Sequence, residues 1–229
     1  GTQTVLFKFD SQNAYVDLSR SALEFDIHNL GTSGAFLDGN AHSFFKRVQL
    51  RTKNGVVLDD DDGYNRRVLG ERQLTTGSDF SNQHWEELSD NLLVTEASKH
   101  QFTSTTSTDI HACMVPALMS IHQEKVFPLP LLGGLELELT MEASTNIMSG
   151  PSDANGNWQI SNVKYNLVMI PVEKELLAEQ RALMAQGKGP VLNYVRPYYI
   201  PGKDWSAATN TLSIARGVSS ATALLGRVY

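Results

Sequence analysis

Three glutamates lie on one predicted strand at spacings that could bring their carboxyl groups together. In the run from Leu135 to Glu142, the residues Glu136, Glu138 and Glu142 alternate with apolar side chains. Side chains on a β-strand point to opposite faces in turn, so the three acids share one face. Paired carboxylates at a suitable separation cleave glycosidic bonds. A solvated polar face explains the same acids without any chemistry, and we favour that interpretation.

A second candidate is the acidic run from Asp59 to Asp62, which is followed by Gly63. Calcium-binding EF-hand loops carry acids at alternate positions before the glycine and a glutamate six residues after it. Here the first ligand position holds Leu58 and the last holds Leu69, so the pattern fails. Neighbouring like charges repel each other and stay in water, so we expect a solvated loop.

The histidines and the single cysteine form no recognisable catalytic or metal-binding pattern. We expect all six histidines to lie on the surface or in loops: His28, His42, His84, His100, His111 and His122. Cys113 lies among apolar residues, which predicts a buried and inert thiol. Neither a Gly-x-Ser-x-Gly elbow nor a phosphate-binding glycine loop occurs. The sequence therefore assigns no catalytic, cofactor-binding or metal-binding residue, and we expect neither a cofactor nor enzymatic activity.

Composition narrows the class of partner. The chain has 229 residues, of which 41% are hydrophobic, and its net charge is −6. Because an acidic surface repels phosphate, we expect no direct nucleic-acid partner. No window approaches the ~20 apolar residues of a membrane span, so we expect no membrane insertion. The chain begins without Met and ends on the apolar run Arg227 to Tyr229, which suggests a fragment or a processed product.

Apolar and polar residues alternate along most of the chain, and this predicts strands with one face on a core. Leu135 to Met141 and Leu23 to His28 are the clearest examples. The Asn54-Gly55 pair follows the predicted strand Phe44 to Arg51 and indicates a hairpin turn. Helical patterns are missing between most strands, which argues against a parallel sheet. The sequence predicts an all-β fold, an antiparallel jelly-roll β-sandwich with a few short helices and one linker helix.

Two segments depart from the strand pattern. Val172 to Gln186 is the clearest helix prediction, and Gly187 is placed to end it. The apolar residues of this helix share one face: Leu176, Leu177, Leu183 and Met184. Residues 59–98 are polar and weakly helical, and we interpret them as a long excursion with short helices, one of them around Trp85. Loops of this length are usually functional or ordered by a partner, so we expect both segments to contact neighbouring molecules.

Four stretches of the chain, taken in order, share apolar and turn patterns with a known family. They are Phe7 to Phe25; His42 to Leu50 with Asn54-Gly55 and Tyr64-Asn65; Phe127 to Met141 with Pro128 and Pro130; and Trp158 to Ile170 with the helix, Tyr194 to Pro197 and Leu224 to Tyr229. In these stretches the chain resembles the double jelly-roll major capsid proteins of DNA viruses in the virophage, polinton-like and giant-virus lineage.

The resemblance implies a domain plan and a role. Residues 1–172 are expected to form a first jelly roll, residues 173–190 a linker helix and turn, and residues 191–229 the start of a second roll or the C-terminal strands of a single one. The implied role is that of a structural capsid subunit in the virion, assembled inside the host cell into trimeric capsomers of an icosahedral shell. Its expected partners are copies of itself and neighbouring capsid proteins.

The alternative is a carbohydrate-binding or carbohydrate-cleaving β-sandwich. Such a protein needs exposed aromatic rings along a groove, or an acid pair about 5–9 Å apart. The three tryptophans are Trp85, Trp158 and Trp205, and each lies beside a predicted turn.

Overall fold

Antiparallel strands dominate the computed structural model of the chain. It describes residues 3–10, 13–30, 35–37, 41–75, 101–102, 110–118, 126–143, 148–149 and 158–189. In these ranges the strands are β1 (Thr4–Phe9), β2 (Ala14–Asn29), β3 (Ala35–Leu37), β4 (Phe45–Thr52), β5 (Val57–Asp61), β6 (Gln101–Phe102), β7 (Ile110–Met114), β8 (Leu135–Met141), β9 (Met148–Ser149) and β10 (Trp158–Pro171). The helices are a 3₁₀ turn (Ala41–Phe44), α1 (Tyr64–Thr75), α2 (Leu129–Leu132) and α3 (Lys174–Ala185).

The strands form two large sheets and one small one. The first sheet has the order β1-β8-β4-β5 and the second the order β10-β2-β7. The short strands form the third, in the order β6-β3-β9. Every strand pairing within the described ranges is antiparallel. This confirms the predicted all-β antiparallel fold.

The two large sheets pack face to face around one apolar core, as a β-sandwich. Phe25 of β2 lies edge-on to Phe45 of β4, with ring centroids 5.5 Å apart. Phe7 and Phe9 of β1 contact Tyr165 of β10 at 5.4 and 5.3 Å. These contacts join strands of opposite sheets, and the aromatic rings bury large apolar areas there.

Alternation decides which residues enter this core. Along β8, Leu135, Leu137, Leu139 and Met141 are buried, while the residues between them are half-exposed. Strand β2 runs unbroken from Ala14 to Asn29, which settles the open question of one strand or two. The predicted hairpin joins β4 to β5, and Gly55 has a φ of +85°, which a side chain would strain.

The partners of the strands are nested. β2 pairs with β10. β4 and β8 both lie between β2 and β10 in the sequence, and they pair with each other. Each of these two pairs lies in a different sheet. Ile27 is thereby opposite Ile160, and Val48 is opposite Leu139.

The predicted linker helix is present as α3. After Gln186, Gly187 adopts a φ of +72°, and the N–H groups of Gly187 and Lys188 donate to the carbonyl oxygens of Met184 and Leu183. This is the Schellman motif that the glycine predicted. The strand-like stretch within residues 191–229 lies outside the described residues, so the division into domains stays a prediction.

Sequence reasoning missed α1, a helix of 12 residues from Tyr64 to Thr75. Its first part packs on the body of the fold, because Tyr64 is fully buried and Val68 nearly so. The prediction of weak helicity from residue 59 onward was therefore wrong for this stretch. Residues 76–98, including the expected short helix at Trp85, lie outside the described ranges.

We expect Phe25→Ala to lower the free energy of unfolding by about 3–5 kcal/mol, because it empties a space between the sheets. Leu6→Ala, on the exposed side of β1, is the control and should cost about 0.5 kcal/mol or less. Urea titration followed by tryptophan fluorescence measures both variants. Equal losses in the two would contradict a core between the two sheets.

Candidate functional surfaces

The outer face of the first sheet carries a ladder of opposite charges. Arg51 of β4 binds Glu136 of β8 through Nε at 2.8 Å and Glu138 through an Nη atom at 3.1 Å. Lys8 of β1 lies 3.8 Å from Glu136. At the other edge, Arg47 binds Asp60 of β5 with two hydrogen bonds of 2.7 Å. Cross-strand pairs of this kind hold neighbouring strands in register.

The structure brings two of the three predicted acids together and separates the third. Glu136 and Glu138 share the guanidinium of Arg51, and the hydrogen bond that Arg51 donates to Glu136 raises the pKa of that arginine. Glu142 lies just past the end of β8 and accepts a hydrogen bond of 2.7 Å from the Asn65 side chain of α1. Arg47 and Arg51, which lie four residues apart on one face of β4, were the signal in the sequence for such partners.

The first three residues of the acidic run, Asp59 to Asp61, lie in strand β5, so the expectation of a solvated loop was wrong for them, whereas Asp62 lies in an exposed turn. Asp59 and Asp61 are buried in β5, whereas Asp60 on the other side reaches Arg47. Arg67 of α1 compensates the buried charge of Asp61, with its Nε 2.6 Å from the carboxylate. Burial raises the pKa of Asp61 even though Arg67 opposes the shift. Repulsion between the aspartates does not keep them in water, because a cation six residues after Asp61 in the sequence, Arg67, enters the same site.

Arg67 and Tyr64 fasten α1 to the body. Besides Asp61, Arg67 binds Glu71 at 2.6 Å and donates to the carbonyl oxygen of Ala117. The Tyr64 hydroxyl accepts from the Ala117 N–H at 2.9 Å and is hydrogen-bonded to Nδ1 of His42. His42 is fully buried, so the prediction that every histidine lies on the surface or in a loop was wrong. The tyrosine hydroxyl gives this imidazole the partner that burial requires.

Two further histidines, His28 and His111, lie partly exposed on the outer face of the second sheet, in agreement with the prediction of surface histidines. Nε2 of His28 is 2.5 Å from Oγ of Ser161 on β10. On β7, Nδ1 of His111 is 2.9 Å from Asp26, whose second oxygen accepts from Asn162. Asn162 has a φ of +51° at the irregularity where β10 shifts register. These contacts tie β2 to both of its neighbours.

Two more residues that the sequence analysis considered, Cys113 and Trp158, lie in the described part of the chain. Cys113 is half-buried on β7, less buried than predicted. The Trp158 ring packs edge-on against Phe44, with centroids 5.1 Å apart. The other predicted candidates lie outside the described residues: His84, His100, His122, Trp85 and Trp205.

The strongest candidate for an interaction surface lies where β10 leads into α3. Val168, Met169 and Ile170 at the end of β10 are each 39% exposed. On α3, Leu177 is buried, but the apolar residues beside it are exposed: Leu176, Leu183 and Met184. We call these six exposed residues the β10–α3 surface. A hydrogen bond from the Tyr15 hydroxyl to Gln180 connects the helix to β2, and just before the helix the Val172 N–H donates to the carbonyl oxygen of Asn13.

Membrane-spanning helices and metal-binding clusters are both absent from the described part of the chain. No helix there is long and apolar enough to cross a membrane. Within the same ranges, no group of three or more histidine, cysteine, aspartate or glutamate side chains is arranged to hold a metal ion.

We expect Arg67→Ala to lower the free energy of unfolding by about 3–5 kcal/mol, because it leaves Asp61 buried without its cation. Arg20→Ala is the control, since that side chain is 79% exposed beside Asp17, and it should cost under about 1 kcal/mol. Thermal and urea unfolding measure both. A loss for Arg67→Ala as small as that of the control would show that the buried pair does not hold α1.

We expect Asp26 to make the fold acid-sensitive. The hydrogen bond from His111, followed by that from Asn162, lowers the pKa of Asp26 below its usual 3.8. A lowered pKa in the folded state gives stability that is fully present above pH 3.8 and is lost as the pH falls through the folded value. Asp26→Asn should therefore lose less stability than the wild type on acidification below that pH.

Melting temperatures between pH 2 and 6 test this expectation about Asp26. His111→Leu removes the largest cause of the pKa shift of Asp26. The fall of its melting temperature on acidification should therefore be smaller than that of the wild type and larger than that of Asp26→Asn. The same dependence of melting temperature on pH in all three proteins would contradict the expected role of Asp26.

Comparison with known proteins adds no family to this geometry. No protein-family model matches the chain, and no curated protein matches it. Only the fold and the surfaces described above therefore bear on the function of the chain.

Proposed function

We propose that the chain is a structural subunit of a viral capsid, which assembles with copies of itself into trimeric capsomers of an icosahedral shell. The observation that carries the proposal is the nested strand pairing, in which β2 pairs with β10 in one sheet and β4 with β8 in the other. This order supports a jelly roll, since a jelly roll arises when a long antiparallel ribbon is rolled into two facing sheets, and many capsid proteins have that fold.

The surfaces support a protein whose function is to bind other protein molecules. The charged groups on the outer face of the first sheet engage one another, as Arg51 does with Glu136 and Glu138. By contrast, the β10–α3 surface leaves six large apolar residues exposed within 17 positions of the chain. Exposed apolar patches of this kind mark sites of protein association. Obligate subunit interfaces commonly bury ~2,000 Å² or more, which demands such a patch.

The proposal includes a location and excludes some partners. The protein would reside in the virion after assembly in the host cell, next to copies of itself and other capsid proteins. Its net charge of −6 disfavours direct binding to the packaged nucleic acid. The role requires no cofactor and no catalytic residue.

The carbohydrate alternative has less support. It requires acids that are free to act on a glycosidic bond, whereas Glu136 and Glu138 are held by one arginine. It also requires exposed rings, whereas Trp158 packs on Phe44.

We expect the purified chain to form trimers or larger shell fragments, because its exposed apolar surface favours association. Native mass spectrometry and light scattering after size-exclusion chromatography measure this, with a glycan array in parallel. A strictly monomeric protein at high concentration would contradict the capsid proposal. Specific binding on the glycan array, together with a monomer, would favour the carbohydrate alternative.

A further inference from the structure

The free edge of β1 is the least protected strand edge in the described part of the chain. There, β1 and β5 end the first sheet, and β10 and β7 end the second. Residues of β5 and β7 make further contacts. β10 shifts its register against β2 twice, and such bulges hinder pairing with another strand. By contrast, β1 pairs with β8 in regular register over all six of its residues.

The backbone groups of β1 alternate between β8 and the free side. The Met141 N–H donates to the carbonyl oxygen of Gln3, which lies opposite it just before β1. Because every second pair of an antiparallel ladder is bonded in this way, the odd-numbered residues of β1 direct their N–H and C=O groups at β8. The even-numbered residues direct these groups away from the sheet: Thr4, Leu6 and Lys8. Among the residues that the structure describes, no strand lies on that side of β1.

The side chains of β1 leave apolar surface on both faces of this edge. Leu6 lies on the outer face and is 42% exposed. On the inner face, Val5 and Phe7 are only partly buried, whereas every inward-facing residue of the adjacent strand β8 is buried. The apolar core is therefore less well covered where β1 ends the sheet.

The second sheet shows the same lack of cover on this side of the sandwich. Tyr165 of β10, whose ring contacts Phe7 and Phe9, is itself only partly buried against the core. Its hydroxyl is buried without a hydrogen-bond partner in the part of the chain that the structure describes. An unpaired buried hydroxyl and a half-covered core both cost free energy. A further strand beside β1 would reduce this cost.

The sequence of β1 is complementary to itself. A twofold axis places two copies of one strand in antiparallel orientation, and each contact then occurs twice. With Leu6 opposite Leu6 of the second copy, Thr4 lies opposite Lys8, so all the outward backbone groups are paired. Val5 then lies opposite Phe7 on the inner face. A shift by two residues in either direction leaves one outward residue without a partner.

The one charged residue of β1 is compatible with this register. Lysine at a strand edge ordinarily hinders pairing, most of all where two lysines meet. In the centred register Lys8 faces Thr4 of the second copy and not another lysine. Its ammonium also lies 3.8 Å from Glu136 on β8, on the side away from the free edge.

We propose that two copies of this chain pair along their β1 edges, antiparallel and about a twofold axis at Leu6. The two four-stranded sheets then join into one continuous sheet, in which Val5 and Phe7 of each copy cover those of the other. The inference goes beyond the proposed function, because a twofold contact joins copies in pairs and does not by itself build a trimer. In a capsid, this contact links neighbouring capsomers.

Cysteine cross-linking tests the contact and its register. All variants carry Cys113→Ser, which removes the only cysteine of the chain. Leu6→Cys should form a disulfide-linked dimer on oxidation, because the two Cα atoms of such a pair lie about 5.5 Å apart. Thr4→Cys and Lys8→Cys should each cross-link poorly alone and well when mixed, because each residue lies opposite the other. Non-reducing gel electrophoresis and mass spectrometry measure the products.

A proline variant tests the backbone hydrogen bonds. Leu6→Pro removes an N–H that points away from β8, so β1 should keep its place in the monomer. The two hydrogen bonds between the Leu6 residues are lost, which should weaken self-association about tenfold or more. Leu6→Val keeps the N–H and an apolar side chain, and should associate like the wild type. Sedimentation velocity measures the association, and circular dichroism melts check the fold.

The outcomes separate this inference from the proposed function. Absence of the Leu6→Cys dimer would overturn the β1 contact, as would equal association of Leu6→Pro and Leu6→Val. Trimers or shell fragments in the same samples would leave the capsid proposal standing. Conversely, a cross-linked dimer that never grows larger would support the β1 contact and contradict the capsid proposal.

Two further results bear on the details. A Leu6→Cys dimer without cross-links in the mixture of Thr4→Cys and Lys8→Cys would overturn the centred register. Slow amide hydrogen exchange at Leu6 and Lys8 in a protein that stays monomeric would show that another segment of the chain covers the edge, and would contradict the pairing of two copies. If Leu6→Pro does not fold, the cross-links alone decide.

Discussion

The apolar layer between the two large sheets is the interaction on which the rest of the structure depends. Each sheet has one apolar face, and neither face can remain in water at acceptable cost. Contacts such as those of Phe25 with Phe44 and Phe45 close the layer in its middle, and Tyr165 against Phe7 and Phe9 closes it at one edge. Once the layer is closed, the outer faces are free to carry charges. The ladder around Arg51 and the pairs around Asp26 then fix which strands are neighbours.

The buried ion pair of Asp61 and Arg67 shows a different kind of constraint. Burying two charges costs more free energy than their attraction usually returns, so such a pair adds little net stability. The pair instead fixes where α1 lies on the sandwich. Arg67 also reaches Glu71 and the Ala117 carbonyl, so one side chain connects β5, α1 and the segment after β7. The first turns of α1 are held against the sandwich by charge as well as by Tyr64.

Local pattern was enough to predict much of this fold. The alternation in β8, the hairpin at Asn54-Gly55 and the end of α3 at Gly187 each depend on neighbours within a few residues, and each was predicted correctly. The failures came where a distant group decides the outcome. His42 is buried because Tyr64 reaches it, and α1 has no clear apolar stripe because charged contacts hold it. The pairing of Glu136 with Arg51 required the sheet order, which spacing along one strand does not contain.

The nested pairing of strands also has a consequence for synthesis. β2 is completed early, yet its long partner β10 ends only at Pro171, so the register between them joins residues more than a hundred positions apart. Contacts of such separation form slowly, since a large loop must close before they contribute. During synthesis, the edge of β2 that pairs with β10 stays without its partner strand until β10 has been made. Because α3 follows β10 directly, α3 is translated last among the described elements. A growing chain therefore exposes the apolar residues of α3 only after every strand of the two large sheets has been synthesised, when the core beneath them can already close.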